Sequence, residues 1–324
     1  MHRLLAAAAA LLVASQPTLA ADALPGKWIS GTLAREEGRE FKLYVPAAQS
    51  HQPLPLVVML HGCTQGPDTF ADSTGMNAIA EKARFLVLYP AQKASANPAR
   101  CWNWFAPANQ ARDSGEPAEI VAMVEQVARQ HAVDRKRVYV AGLSAGASMS
   151  AILAACYPDV FAAAAIHAGT MYKAATSLPR AQKVMLTASG PDPDALGEQA
   201  WTCGGRRQAM TPVTIWQGEG DNVVNRKNAD QVVRQFTRLN EWSDDGRNNG
   251  SLRLKAARDN KKVEGGYDYA VTRYAHGGRP LIEHYRIAKM GHAWSGGKDD
   301  VRFSDPKGPN ASALIWEFFR QHAR

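Results

Sequence analysis

Val138-Tyr139-Val140-Ala141-Gly142-Leu143-Ser144-Ala145-Gly146 is the stretch on which the reading of this chain turns. Val138 to Ala141 is a short apolar run of the kind that forms a strand buried on both faces. Ser144 to Ala155 is a run of small residues that reads as a helix packed close to that strand. Between them lies Gly142-Leu143-Ser144-Ala145-Gly146, a G-x-S-x-G pentapeptide. The pattern alone is weak, since composition places it by accident in about one chain in ten of this length. Its position is more specific. In a strand-turn-helix elbow the glycines leave room for a strained turn that exposes the serine hydroxyl, and the helix N-terminus behind the serine favours negative charge. The competing reading is a glycine-rich turn with a serine cap, and the context favours a nucleophile.

Working outward, the same alternation recurs. Trp28 to Ala34 and Arg39 to Val45 read as two strands around the polar turn Arg35-Glu36-Glu37-Gly38. Pro55 to Leu60 and Phe85 to Tyr89 are apolar runs expected of buried strands, separated by a helical pattern from about Ala71 to Ala83. Ala91 to Ser114 has no periodicity, and a loop of that length in a compact domain is usually functional. Pro117 to His131 reads as an amphipathic helix with Pro in its first turn. Phe161 to His167, Val213 to Gln217 and Leu281 to Ile287 complete six buried strands, with a helix over about Lys227 to Leu239, a polar insertion over Asn240 to Gly266 and a closing helix over Ala311 to Ala323. Strands alternating with helices at this spacing predict a mostly parallel, twisted sheet covered on both faces, in one α/β domain over residues 21–324. Tyr172 to Thr211 breaks the alternation and is expected to form a small cap over the catalytic edge.

A serine hydroxyl needs a base to take its proton, and the base needs an acid to orient it. In the α/β-hydrolase fold the partners follow in the order acid, then histidine, on loops after later strands. Gly218-Glu219-Gly220-Asp221 follows the strand ending at Gln217, which points to Asp221 over Glu219, Asp192, Asp194, Asp230, Asp244 and Asp245. Met290-Gly291-His292 follows the last strand, which points to His292. His167, His276 and His284 are expected to be structural. The oxyanion hole is expected from the backbone N–H groups of Ala145 and of Cys63, with Thr64 as the alternative.

Leu60-His61-Gly62-Cys63-Thr64-Gln65, Cys101-Trp102-Asn103-Trp104-Phe105, the Ser144 elbow and Gly291-His292-Ala293-Trp294 together resemble the polyhydroxybutyrate depolymerase family of esterases, over about Leu43 to the C-terminus. The resemblance implies an extracellular or periplasmic hydrolase of short-chain hydroxyacid polyesters, with feruloyl and acetyl-xylan esterases among its relatives. Trp102, Trp104 and Trp294 fall on loops at the catalytic edge and are expected to line the substrate site, with plain loop packing the competing reading and an equal one for Trp102. Three functions are carried forward: a hydroxyalkanoate esterase, a feruloyl or acetyl-xylan esterase, and a hydrolase-fold binding module without catalysis. The complete Ser144, Asp221, His292 set argues against the third. No metal or organic cofactor is implied.

Leu4 to Ala14 is an apolar run behind His2 and Arg3, with a small-residue site at Thr18-Leu19-Ala20, so residues 1–20 read as a signal peptide cleaved after Ala20 or Ala21. No later stretch is long and apolar enough for a membrane span. The net charge is +8, without a basic stripe interleaved with aromatics, so nucleic-acid binding is not indicated. Oligomeric state is not legible. Export makes disulfides possible among Cys63, Cys101, Cys156 and Cys203. Cys63, Cys101 and the cap residue Cys203 fall at the catalytic edge. Cys156 ends a helix of twelve residues that carries it roughly 18 Å away. These placements predict a Cys63–Cys101 bridge, with Cys101–Cys203 as runner-up, and a buried free thiol at Cys156.

Overall fold

The computed structural model describes residues 25–34, 38–47 and 52–324. The signal-peptide segment and the turn residues 35–37 lie outside them. Ten strands form one sheet: β1 (Lys27–Thr32), β2 (Glu40–Val45), β3 (Leu54–Leu60), β4 (Leu86–Pro90), β5 (Val133–Leu143), β6 (Ala163–His167), β7 (Val213–Gly218), β8 (Lys255–Lys262), β9 (Asp268–His276) and β10 (Arg279–Ile287). Their spatial order is β1-β2-β4-β3-β5-β6-β7-β10-β9-β8. The six from β4 to β10 run parallel, and antiparallel pairs flank them at both ends.

Strand periodicity divides the core in two. On β3, Leu56, Val58 and Leu60 point to one face, and Val57 and Met59 to the other. The first face packs on α3 (Gly115–Gln130), α4 (Ala145–Cys156) and α7 (Lys227–Asp245), through residues such as Met123, Ile152 and Phe236. The second packs on α1 (Pro67–Thr74), α2 (Met76–Ala83) and α8 (Ala311–Phe319), through Phe70, Ala80, Ile315 and Phe319. All twelve residues of α4 are buried, which accounts for its run of Ala, Gly and Ser: larger side chains would push it off the sheet.

Two sequence expectations are corrected. Much of the polar insertion is strand: β8 carries Lys-Ala-Ala-Arg-Asp-Asn-Lys-Lys, every residue exposed, and is held by antiparallel pairing with β9 from Lys255↔Ala275 to Lys262↔Asp268. Residues 172–211 are the second. They form α5 (Leu178–Thr187), whose end docks beside the acid loop through Asn225 N–H donating to Met185 O (2.7 Å), and α6 (Pro193–Cys203), which leads away from that edge instead of covering it. Tyr172 is tied to α7 by its N–H donating to Gln235 Oε1 (2.8 Å) and its C=O accepting from Gln235 Nε2 (2.9 Å). α6 then packs on the flank of α7, where Gly197 faces Arg238, and runs down beside α4.

That path brings Cys203 to the far end of α4, where it is bridged to Cys156 with a Cα–Cα distance of 4.6 Å. Cys156 is therefore not a free thiol. The length of α4 was read correctly, and the error lay in the position given to Cys203. Cys63 and Cys101 are bridged as expected, Cα–Cα 4.2 Å. Replacing Cys156 and Cys203 together by Ser should release a loop closed over a sequence separation of 47. Loop entropy puts the loss at about 4 kcal/mol. The expected result is a clear fall in the denaturant midpoint, with ester turnover at 25 °C retained, because the bridge is remote from the elbow. An unchanged midpoint would contradict the entropic account.

Candidate active site

β5 ends at Leu143 and α4 begins at Ala145, so Ser144 alone makes the turn. Its φ of 57° and ψ of −118° are strained for a residue with a side chain. The flanking glycines are sterically required. A β-carbon on Gly142 would meet Gly146 O at 2.3 Å, and one on Gly146 would meet Leu60 O at 2.1 Å. Gly146→Ala is therefore expected to cost about 3 kcal/mol of stability or more by overpacking, read as a lower melting temperature together with loss of activity. A fully stable Gly146→Ala protein would mean that the elbow is looser than this geometry.

The acid and histidine loops are zipped to each other by main-chain bonds. Glu219 N–H donates to Ile287 O (2.8 Å) and Gly220 N–H to Met290 O (2.9 Å), and a β-carbon on Gly218 would meet Met290 O at 2.3 Å. This brings His292 Nδ1 to 2.8 Å from Asp221 Oδ2. The Asp221 side chain is fully buried. Its Oδ1 accepts from the N–H groups of Val223 and Val224, both at 2.8 Å, and its Oδ2 also accepts from Gln217 Nε2 at 3.1 Å. Burial pushes its pKa up, but the bond from His292 and the two backbone N–H groups outweigh this and leave it below the usual carboxylate value. An ionised Asp221 fixes the proton of His292 on Nδ1 and turns Nε2 toward the elbow. No hydrogen bond joins the Ser144 hydroxyl to His292 among the described residues. Such bonds commonly tighten only when substrate is bound.

On the other side of Ser144 lies the loop after β3. Gly62 N–H donates to Gln65 Oε1 (3.0 Å), and Gln65 Nε2 donates to Ser73 Oγ (3.2 Å). Thr64 N–H is taken by Ala99 O at 2.6 Å, which removes the alternative oxyanion donor. The Cys63–Cys101 bridge pins this loop to the Trp-bearing segment. That segment hangs on buried Glu116, whose carboxylate accepts from Asn103 N–H (2.8 Å), Asn103 Nδ2 (2.9 Å) and Gln92 Nε2 (2.6 Å).

Two of the three tryptophans are corrected. Trp102 is fully buried, tilted against His61 and beneath the Arg39 guanidinium. Trp294 is fully buried, stacked on His167 and donating Nε1–H to Ser312 Oγ. Both brace loops from within the core and present no surface to a substrate. Trp104 keeps 4% of its surface exposed, beside Phe105.

His61 and His167 brace the site: a structural His167 was expected, while His61 had been given no role of its own. His61 Nε2 accepts from Gln92 N–H (3.1 Å), so its proton sits on Nδ1, which donates to Gly62 O at 2.8 Å. His167 accepts Ser144 N–H at its carbonyl (2.9 Å) and Ser295 N–H at Nε2 (3.1 Å), linking the elbow to the loop that carries His292. Burial lowers the pKa of His61 to about 4 and of His167 to about 3, and likewise of His284 and His322 to about 4. Each binds its proton more weakly folded than unfolded. Their stabilising effect is therefore full above the unfolded value of about 6.5 and is lost as pH falls toward 4. At pH 5 the loss is about 2 kcal/mol per histidine. Thermal melts should show a steep drop in melting temperature between pH 7 and pH 5, and a flat profile would mean that these rings take up protons as readily folded as unfolded.

Set beside known proteins, residues 39–261 match the family described as Esterase PHB depolymerase. The chain belongs to that family. The match to the PHB depolymerase esterases takes in Ser144 and Asp221, while His292 lies beyond it and rests on the geometry above. The chain is 38% identical to poly(3-hydroxyalkanoate) depolymerase C of Paucimonas lemoignei over 239 residues, 74% of this chain and 54% of that one, so it spans about half that relative's length. It is 27% identical to feruloyl esterase B of Neurospora crassa over 261 residues, 77% of this chain and 81% of that one. Among solved structures, an acetyl xylan esterase from Aspergillus awamori superposes with a TM-score of 0.69 at 18% identity, covering 91% of this chain and 99% of that one. That likeness establishes the α/β-hydrolase fold, in which this PHB depolymerase relative has kept helices on both faces of a mostly parallel sheet.

Proposed function

We propose that this protein is an exported serine esterase acting on short-chain hydroxyacid esters, with Ser144 as nucleophile, His292 as base and Asp221 as its orienting acid. The observation that carries the reading is the 2.8 Å Asp221–His292 pair on loops zipped beside a strained serine elbow. Ser144 Oγ attacks the ester carbonyl carbon as His292 Nε2 takes its proton. The oxyanion is held by the N–H groups of Ala145 and Cys63, at the start of α4 and in the pinned loop after β3. Collapse breaks the C–O bond, His292 gives its proton to the departing alkoxide, and an acyl-enzyme remains. Water, deprotonated by His292, repeats the attack and frees Ser144.

The second reading, a feruloyl or acetyl-xylan esterase, uses the same chemistry and is favoured by the alignment with feruloyl esterase B over 81% of that protein's length. Export is supported by two disulfides. No helix of the described residues is long and apolar enough to cross a membrane. Labelling by a fluorophosphonate tests the nucleophile. A panel of 3-hydroxybutyrate oligomers, ferulate esters and acetylated xylan tests the substrate, and hydrolysis of ferulate or xylan acetate alone would overturn the first reading.

A further inference from the structure

Beside the acid loop the sheet carries a cavity of about 550 Å³, lined by Glu219, Arg258, Lys261, Lys262, Tyr269 and Arg286 among others. Of the acidic groups around it, Glu219, Asp259 and Glu283 are already engaged, and Asp268, which also lines it, is among the described residues a lone carboxylate set against three free cations. Glu219 is held by Arg286 at 2.7 Å and by Arg226 at 3.6 Å, and Arg273 takes both Asp259 and Glu283. Arg258, Lys261 and Lys262 are left without an ion-pair partner among the described residues, and all three are exposed on the outermost strand. A concave site with surplus positive charge and an aromatic wall suits a carboxylate on an otherwise uncharged chain.

Its place relative to the reaction gives the carboxylate a direction. The loops lie along the sheet in the order oxyanion loop after β3, Ser144 after β5, Asp221 after β7 and His292 after β10, and the cavity comes next, against β9 and β8. His292 must protonate the leaving oxygen, so the leaving alcohol faces the β10 side, toward the cavity. In an oligomer of hydroxyacids, the leaving alcohol is the part that carries the free carboxyl end. Resting on the esterase reading above, we propose that this cavity holds the terminal carboxylate of an oligo-hydroxyacid substrate and sets which ester bond is cut.

The reach is consistent. β5 and β9 are four strand positions apart, roughly 19 Å at the usual sheet spacing. A four-atom ester unit, scaled from the three-atom peptide unit, extends about 4.7 Å, so about four units span the distance. The carboxyl-terminal fragment of about four units is released when the acyl-enzyme forms, and the hydroxyl-terminal fragment follows on hydrolysis.

The test compares the 3-hydroxybutyrate hexamer as free acid and as methyl ester, with p-nitrophenyl butyrate as a short neutral control. Wild type should favour the free acid by about tenfold in kcat/KM and release a four-unit acid first. In Arg258→Gln/Lys261→Gln/Lys262→Gln, three exposed changes outside the core, the preference should fall to about one, with p-nitrophenyl butyrate hydrolysis unchanged. Equal rates on acid and methyl ester in wild type, or a preference that survives in the variant, would overturn the carboxylate site and leave the esterase standing. Hydrolysis of p-nitrophenyl butyrate without any hexamer cleavage would overturn the oligoester reading and this site with it.

Discussion

Ser144→Ala is expected to lower ester hydrolysis by about four to six orders of magnitude while the protein remains folded. The substitution removes one hydroxyl from a residue whose backbone already sits at φ 57°, and alanine meets the same strain as serine there. Packing around it is unchanged, because the close contacts of the elbow belong to Gly142 and Gly146. Losing the nucleophile leaves only binding and the oxyanion donors, which retain a small residual rate over water. Melting temperature and kcat/KM must therefore be measured on the same preparation. A folded Ser144→Ala protein with near wild-type turnover would rule out the acyl-enzyme mechanism.

Asp221→Asn should cost about 10⁴-fold in kcat. The side-chain amide can still accept from Val223 and Val224, so the loop keeps its shape. What is lost is the negative charge facing His292 Nδ1 at 2.8 Å. An Asn NH₂ placed there donates where the carboxylate accepted, which forces the imidazole proton onto Nε2 and removes the lone pair that Ser144 needs. The same charge stabilises the imidazolium formed during attack, so the defect should fall mainly on kcat with little change in KM. A mild effect at Asp221 together with a severe one at Asp192 or Asp194 would reassign the acid. Both of those carboxylates are engaged with Arg234.

The sheet and the close approaches around the elbow and the Asp221–His292 pair were legible for a physical reason. β3, β4, β6, β7 and the second half of β5 are buried on both faces and write themselves as apolar runs, and Gly142, Gly146, Gly218 and Gly220 mark places where two backbones nearly touch. β8 was not legible, because an edge strand exposed along its whole length carries no apolar alternation, and only its pairing with β9 makes it a strand. The position of Cys203 was missed because it depends on where α6 docks, which Gln235 and Arg238 of α7 decide from more than thirty residues away. The bracing by His61 and Glu116, and the partners of the structural His167, escaped for the same reason. Each acts on the backbone of another strand or loop, and nothing in its own neighbourhood announces the partner. Trp102 and Trp294 were placed on the right loops but given the wrong side of them.

The zipper between the acid and histidine loops has a consequence for how such a protein can change over generations. Its bonds run between main-chain groups, which every residue but proline supplies, so the alignment of Asp221 with His292 places few demands on the side chains between them. The demands that remain fall on Gly218 and Gly220, where a β-carbon would strike Met290 O and Lys289 O. Descendants can therefore exchange most of the residues in both loops, and with them the surface offered to a substrate, while the catalytic pair stays in register. A saturation-mutagenesis map of residues 218–221 and 288–292 should accordingly be sharply uneven, with Gly218, Gly220, Asp221 and His292 intolerant and Glu219 and Ala288 permissive for hydrolysis of a small neutral ester.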